Sequence, residues 1–243
     1  MSLFLRRSVH TYSGVILFCL GLTPTVAFAH REDYLNKTFV YQTLDHKELE
    51  LEYWVHYGST STSRTVLNAW QHTASFEYGI LEHWMIEAFS TFQHLPGRNL
   101  DYLATHVETR VRLFDEGKKF LDPAFSLEYT HSNAEGVSVH SLEPTLVLSK
   151  DLQRLNFTLD LSLEHQLNAG HETEFGYAIA TRYDTKHLFR IGAEAQGTFG
   201  HTTPHYLVPQ IHLVLPSEVT AKVGVGFRFS GRVYRFLPGH PGP

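Results

Sequence analysis

Cysteine is almost absent from this chain of 243 residues, whose only thiol is Cys19. A disulfide needs two cysteines, so no disulfide within the chain stabilises the fold. Metal sites built from several thiolates are excluded for the same reason. Stability and chemistry must therefore come from other side chains.

Basic residues are scarce relative to acidic ones: 20 Lys+Arg stand against 25 Asp+Glu, a formal net charge of −5. Nucleic-acid binding needs a basic face that neutralises phosphates, so we expect no nucleic-acid partner. The chain also lacks Gly-x-Ser-x-Gly, His-Glu-x-x-His and a glycine-rich phosphate loop. We therefore predict that it is not an enzyme and holds no cofactor.

The first 29 residues have the organisation of a secretory signal peptide. Arg6 and Arg7 give a basic start, Val15–Leu22 is an apolar run, and Ala27–Ala29 is a small-x-small cleavage site. The apolar run is much shorter than the roughly 20 residues of a membrane-spanning helix. We therefore predict a cleaved signal, a mature chain that begins at His30, and export from the cytoplasm.

Long apolar runs are missing from the rest of the chain, and alternation with period two takes their place. In Leu155–Gln166, Leu and Phe occupy one face and Asn, Thr, Asp, Ser, Glu and Gln the other. One face suits lipid and the other carries charge, which is typical of strands in a transmembrane barrel. The predicted strands are 47–57, 64–78, 84–93, 102–114, 121–131, 137–149, 155–166, 174–183, 187–198, 206–215 and 219–229.

These eleven strands predict an all-β fold, an antiparallel up-and-down transmembrane β-barrel of about 12 strands (10–12). Bacterial single-chain barrels have an even number of strands, so a twelfth is expected. Gly231–Leu237 is the first candidate, and Thr38–Leu44 is the alternative, although Thr38–Leu44 is equally suited to a lead or partial plug. The predicted organisation is signal peptide 1–29, periplasmic N-terminal lead 30–46, outer-membrane barrel 47–237 and Pro/Gly tail 238–243. A soluble β-sandwich is the competing fold.

Three prolines fall within predicted strands: Pro123, Pro144 and Pro209. Proline cannot donate a hydrogen bond to a neighbouring strand. We expect bulges or strand ends at these positions.

Three stretches carry a resemblance to known proteins. They are Glu32–Asn36, then Phe76–Ile80 followed by Trp84, and then Leu142–Pro144 with Ser149–Leu152. Together they resemble uncharacterised outer-membrane β-barrel proteins of Gram-negative bacteria. The resemblance implies location in the cell outer membrane, with outer-membrane lipid and the barrel insertion machinery as partners.

The polar faces of the predicted strands collect charges of both signs, and Glu164 beside Arg182 is one expected cross-strand pair. The predicted pore-lining residues are Glu108, Arg110, Arg112, Glu128, Glu143, Asp160, Glu164, Arg182, Arg190, Glu194, Lys222 and Arg228. A charged lumen favours a passive channel or transport component for small polar solutes. A filled interior in which the charges neutralise one another is the alternative.

Histidine is unusually common, with 17 in the chain. In an up-and-down barrel one rim faces the outside, and we expect the connections rich in Gly, Ser, Thr and His to form it. Several histidines lie in or near these connections: His56, His94, His131, His171, His201 and His205. Imidazole binds transition metals, so a non-channel barrel with a binding or envelope-structural role, including metal capture at this rim, is the second hypothesis. No convergent ligand set can be read from the sequence, so no metal site is predicted. A lipid-modifying outer-membrane enzyme that uses Ser and His is the third.

Overall fold

The computed structural model describes residues 15–22, 34–35, 38–61, 66–134, 137–168, 170–185, 188–199, 204–215 and 220–230. Every regular element in these ranges is a strand. The strands are β1 (Val15–Leu22), β2 (Leu49–Ser61), β3 (Val66–Leu81), β4 (Trp84–His94), β5 (Leu100–Arg112), β6 (Asp122–Ala134), β7 (Val137–Leu152), β8 (Leu155–Gln166), β9 (Thr173–Asp184), β10 (Phe189–Thr198), β11 (Pro204–Val214), β12 (Thr220–Val225) and β13 (Phe227–Ser230). None of the described residues belongs to a helix of the length and hydropathy that a membrane span requires.

Strands β12 and β13 are two halves of one strand, interrupted at Gly226. Both pair with β11 in a single register, with Gln210 opposite Gly224 and Leu207 opposite Phe227. Counted in this way, the described residues form one sheet of twelve antiparallel, up-and-down strands.

Neighbouring strands of the sheet are also neighbours in the chain. From β2 to β12 each strand pairs with the next one along the sequence. Strand β1 pairs with β2 on one side, where Leu22 faces Leu51, and with β12 on the other, where Cys19 faces Lys222. Each of the twelve strands therefore has a partner on both sides.

Burial alternates along the strands with the period that the sequence predicts. In β5, Val107 is 50% exposed, whereas Glu108 and Arg110 are 1% and 0% exposed. Successive side chains of a strand point to opposite faces, so the sheet has an apolar outer face and a polar inner face. The eleven strands predicted from this alternation are all present, with ends that differ by a few residues.

The distribution of polarity is the reverse of that in a soluble protein. Among the described side chains, 25 buried ones are polar or charged and 12 are hydrophobic. Large apolar side chains are exposed on nearly every strand of the outer face, for example Phe76, Leu146, Phe157, Ile179 and Ile211. The hydrophobic side chains of this sheet thus cover its outside.

The twelfth strand among the described residues is one that the sequence did not predict. It is β1, the apolar run that the sequence assigns to the signal peptide. Thr38–Leu44 is not a strand, so that alternative is wrong. Gly231–Leu237 and the tail 238–243 lie outside the described residues.

Prolines interrupt the hydrogen-bonded ladders without shifting the register. The β7–β8 ladder has a gap around Pro144, and the β11–β12 ladder has one around Pro209, yet the pairs on either side keep one register. Pro123 lies at the start of β6. The register shifts fall instead between Gly79 and Leu81 and where Thr91 and Phe92 pair with β5.

The connections lie at two rims. One rim, which we call the turn rim, carries the connections β3–β4, β5–β6, β7–β8, β9–β10 and β11–β12. The connection between β7 and β8 is only two residues long. The opposite rim, which we call the loop rim, carries the connections β2–β3, β4–β5, β6–β7, β8–β9 and β10–β11. The residues between β1 and β2 leave and return at the turn rim, because β1 ends opposite the start of β2.

Candidate functional site

Residues 34–35 and 38–44, which we call the inner segment, lie against the inner face of the sheet without joining a strand. Val40 and Tyr41 have no exposed surface, and Tyr34, Leu35 and Leu44 are at most 5% exposed. These five account for much of the buried hydrophobic surface of the protein. A large part of the predicted lead 30–46 is therefore buried against the inner face of the sheet.

The inner segment reaches strands far apart in the sheet. Leu35 clusters with Val208 of β11. Tyr41 clusters with Ala124 of β6 and with β7. Because β6 and β11 are five strands apart, the inner segment contacts widely separated strands of the inner face.

Side chains on the inner face of the strands, which we call the wall, accept hydrogen bonds from the backbone of the inner segment. Three backbone N–H groups donate to them: Leu35 to Gln210 Oε1 at 2.9 Å, Thr38 to Glu194 Oε1 at 2.9 Å, and Phe39 to Asp160 Oδ2 at 2.7 Å. A buried segment outside any ladder needs such partners, because an unpaired N–H group is costly. Two inward carboxylates thus hold the inner segment in place.

Two arginines of the wall contact aromatic rings of the inner segment. The Arg110 guanidinium lies 4.3 Å from the ring centre of Phe39, and that of Arg182 lies 5.6 Å from the ring centre of Tyr34. Arg110 is also paired with Glu108 at 2.9 Å. Each cation–π contact stabilises by about 0.5–2 kcal/mol, so the arginines add to the carboxylate contacts.

The two tyrosines of the inner segment stay neutral. Burial raises the pKa of Tyr34 and of Tyr41 above that of an ordinary phenol. The Tyr34 hydroxyl donates to Asn156 Oδ1 at 2.7 Å, and the Tyr41 hydroxyl to Asp151 Oδ2 at 3.4 Å. Both therefore act as hydrogen-bond donors to the wall.

The twelve residues predicted to line a pore fall into three groups by burial. Glu108, Arg110, Glu143, Asp160, Arg182, Glu194 and Lys222 are buried. Arg112, Glu128, Glu164 and Arg190 are partly buried, and Arg228 is exposed. The expected pair of Glu164 with Arg182 is wrong, because the register puts Glu164 opposite Glu174 and Arg182 opposite Asn156.

Two cavities adjoin the inner segment and share Phe39 and Gln196 in their linings. The larger cavity, of about 360 Å³, is lined by Glu52, Glu87, Glu128, Lys222, two histidines and aromatic rings. The smaller cavity, of about 230 Å³, is lined by Glu143, Asp160, Glu164 and Glu174. Carboxylates therefore outnumber cations in both linings.

Four histidines, among them the predicted rim residues His131 and His205, pair with tyrosines on neighbouring or next-neighbouring strands. The distances from the tyrosine hydroxyl to the histidine Nδ1 are 2.7 Å for Tyr53–His72, 3.2 Å for Tyr102–His131, 2.6 Å for Tyr129–His140 and 2.8 Å for Tyr177–His205. His201 lies outside the described residues. Within the described ranges, no three His, Cys, Asp or Glu side chains converge on a point where a metal ion could bind.

Comparison with known proteins does not place the chain in a family. No family model matches it, and a search of the curated proteins finds no match.

Sequence reasoning missed the residues that matter most in the interior. Tyr34, Thr38 and Phe39 lie in a segment with no alternation, so the only hint of their position was the partial-plug alternative for Thr38–Leu44, which singled out none of their side chains. Gln196 and Gln210 were missed because only charged positions were selected. The alternation itself, extended to uncharged polar side chains, would have found both glutamines.

Proposed function

We propose that the sheet closes into a β-barrel that spans the outer membrane. The carrying observation is the exposed apolar outer face, since single-domain soluble proteins rarely expose such contiguous apolar surface. Partners on both sides of every strand support closure, because a membrane offers no water to solvate an open edge. In this environment the polarity of the two faces is that of a lipid-facing barrel.

We propose further that the barrel is not an open channel. The inner segment crosses the interior, and carboxylates, amides and arginines from β5, β8, β9, β10 and β11 hold it there. Free passage of solutes requires its displacement. The arrangement favours a binding or envelope-structural barrel over the passive channel that the charged faces predict.

Export by the predicted signal peptide has a structural consequence. Cleavage after Ala29 would remove β1, and both of its partners would lose a neighbour. Since β2 and β12 are each antiparallel to β1, they run parallel to each other. An antiparallel strand must fill the gap, or the two must form a parallel pair. Sequencing the N-terminus of protein extracted from outer membranes tests the cleavage, with His30 expected first.

Membrane insertion is tested by expression in a Gram-negative host followed by fractionation. We expect the protein in the outer-membrane fraction, released by detergent and not by alkali or high salt. A folded barrel also migrates differently in gels before and after heating. Recovery of folded protein from the soluble periplasmic fraction would contradict the proposal.

Obstruction of the lumen is tested in planar bilayers. We expect no steady conductance from the intact protein. A variant in which residues 34–44 are replaced by a Gly/Ser linker of equal length should conduct, because the wall remains while its filling is removed. Steady conductance of the unmodified protein would restore the channel hypothesis.

A further inference from the structure

Three cavities with shared lining residues lie between the loop rim and the inner segment, and we call this series the route. A rim cavity of about 510 Å³ is lined by Glu172 of the β8–β9 connection and by the adjoining strand ends, and it shares Glu164 and Glu174 with the smaller cavity. The smaller cavity in turn shares Phe39 and Gln196 with the larger one. The route therefore borders the loop rim at one end and the inner segment at the other.

Negative charge lines this route. The two inner cavities are lined by Glu52, Glu87, Glu128, Glu143, Asp160, Glu164 and Glu174, with Lys222 as the one Lys or Arg in their described linings. Uncharged groups donate to several of these acids: Ser75 to Glu87 at 2.6 Å, and Thr198 to Glu174 at 2.6 Å. Such donors satisfy oxygen atoms without removing charge. Glu52 lies 3.9 Å from Lys222 Nζ and Glu128 lies 2.9 Å from His106 Nδ1, but carboxylates still outnumber the cationic side chains in the linings, so the route attracts cations.

A separate observation points to a missing donor. Thr38 is 1% exposed and lines the larger cavity, and its Oγ1 atom has no hydrogen-bond partner among the described residues. Gln196 Oε1, which borders both cavities, is likewise buried without a described partner. Buried oxygens in this state are costly, and a ligand that donates several hydrogen bonds would satisfy them.

The cavity walls also offer apolar surface. Phe89 stacks on His106 with ring centres 4.2 Å apart, and Trp54 meets Phe89 edge-on at 5.8 Å. Phe39 lines both inner cavities. Methylene groups pack on such rings, and an ammonium group is attracted to their faces. A bare metal ion fits less well, because no three ligands converge in the described part of the chain.

We propose that the inner cavities bind a linear aliphatic diamine or polyamine, with its ammonium groups on the carboxylates and its chain beside Phe39. This inference rests on the proposed barrel, whose lumen the route occupies. An ammonium carries three donors and no acceptor, which matches the orphaned oxygens of Thr38 and Gln196. The ligand completes the hydrogen bonding of the inner segment and thereby holds it in place.

Titration calorimetry of the detergent-folded protein with spermidine and putrescine tests the proposal, with succinate as an anion of similar size. We expect saturable binding of the amines, weakened by salt, and no binding of succinate. Glu164→Gln combined with Glu174→Gln should weaken spermidine binding at least tenfold, whereas Glu82→Gln in the turn rim should leave it unchanged. Thr38→Val, which keeps shape and removes the hydroxyl, should weaken it about tenfold.

The two proposals fail differently. Protein that never enters the membrane fraction overturns the barrel. Heat-modifiable, membrane-extracted protein that binds spermidine no better than succinate overturns the amine site alone. Equal spermidine affinity for the parent and the Glu164→Gln/Glu174→Gln variant also overturns the site, provided both show the same gel shift on heating.

Discussion

The inner segment should detach when its two carboxylate anchors are removed together. Asp160 accepts from the Phe39 N–H group at 2.7 Å and Glu194 from the Thr38 N–H group at 2.9 Å. Both side chains are at least 96% buried. Replacing both by alanine leaves a buried donor at Thr38 and a partly buried donor at Phe39 without these partners.

The expected cost follows from the kind of bond that is lost. A hydrogen bond to a charged group contributes about 1.5–3 kcal/mol to stability, and an abandoned buried donor adds to the loss. The two anchors hold adjacent residues, so their effects will not be strictly additive. A combined loss of about 3–5 kcal/mol shifts the balance between the docked and the free segment by roughly 100-fold or more.

The equilibrium between the docked and the free segment can be measured with a buried thiol. Val40 has no exposed surface, and Val40→Cys places a near-isosteric thiol there. In a Cys19→Ser background this thiol is unique. We expect negligible reaction with a polar maleimide when Asp160 and Glu194 are intact, and reaction at least 100-fold faster in the double-alanine variant.

Matched controls separate detachment from unfolding. Asp160→Asn with Glu194→Gln keeps an acceptor oxygen at each position, so we expect intermediate labelling. Glu82→Cys, in an exposed turn, should react at the same rate in every background. An unchanged labelling rate of Val40→Cys in the double-alanine variant, with the heat-induced gel shift intact, would show that the carboxylates do not hold the segment.

Three other predictions concern the wall. Phe157→Arg on the outer face should lower the free energy of unfolding in lipid by about 2–4 kcal/mol if the residue lies near the midplane, whereas Phe157→Leu should change it little; equal urea midpoints for the two variants would refute a lipid-facing position. Gly197→Ala should lower the melting temperature measured by circular dichroism, because its Cβ would overlap the His205 ring at Nδ1, and an unchanged melting temperature would contradict this. In the processed protein, we expect an antiparallel strand to take the place of β1 and keep the backbones of β2 and β12 apart, so Glu52→Cys with Lys222→Cys should form no disulfide; rapid oxidation to a disulfide would show instead that β2 and β12 pair directly.

Local pattern was enough to find the strands and their faces. In Leu155–Gln166 and in Val107 to Arg110 the alternation is regular, and a strand turns alternate side chains to opposite faces whatever its partners are. The predicted strands and the buried state of seven of the twelve selected charged residues follow from this geometry. The prediction of bulges at the prolines was less accurate, because Pro144 and Pro209 interrupt the pairing with the neighbouring strand without shifting its register.

The sequence by itself determined an all-β chain of alternating strands with an apolar and a charged face, because period-two side-chain geometry is local. Only the tertiary structure decided that Val15–Leu22 stands between β2 and β12, that Glu164 faces Glu174, and that residues 34–35 and 38–44 lie buried against the inner face of the sheet. The place of β1 beside β12 and the burial of the inner segment depend on contacts between residues more than 100 positions apart, such as Phe39 with Asp160. No periodicity within one segment encodes such contacts, since each forms only when a distant strand presents the complementary group.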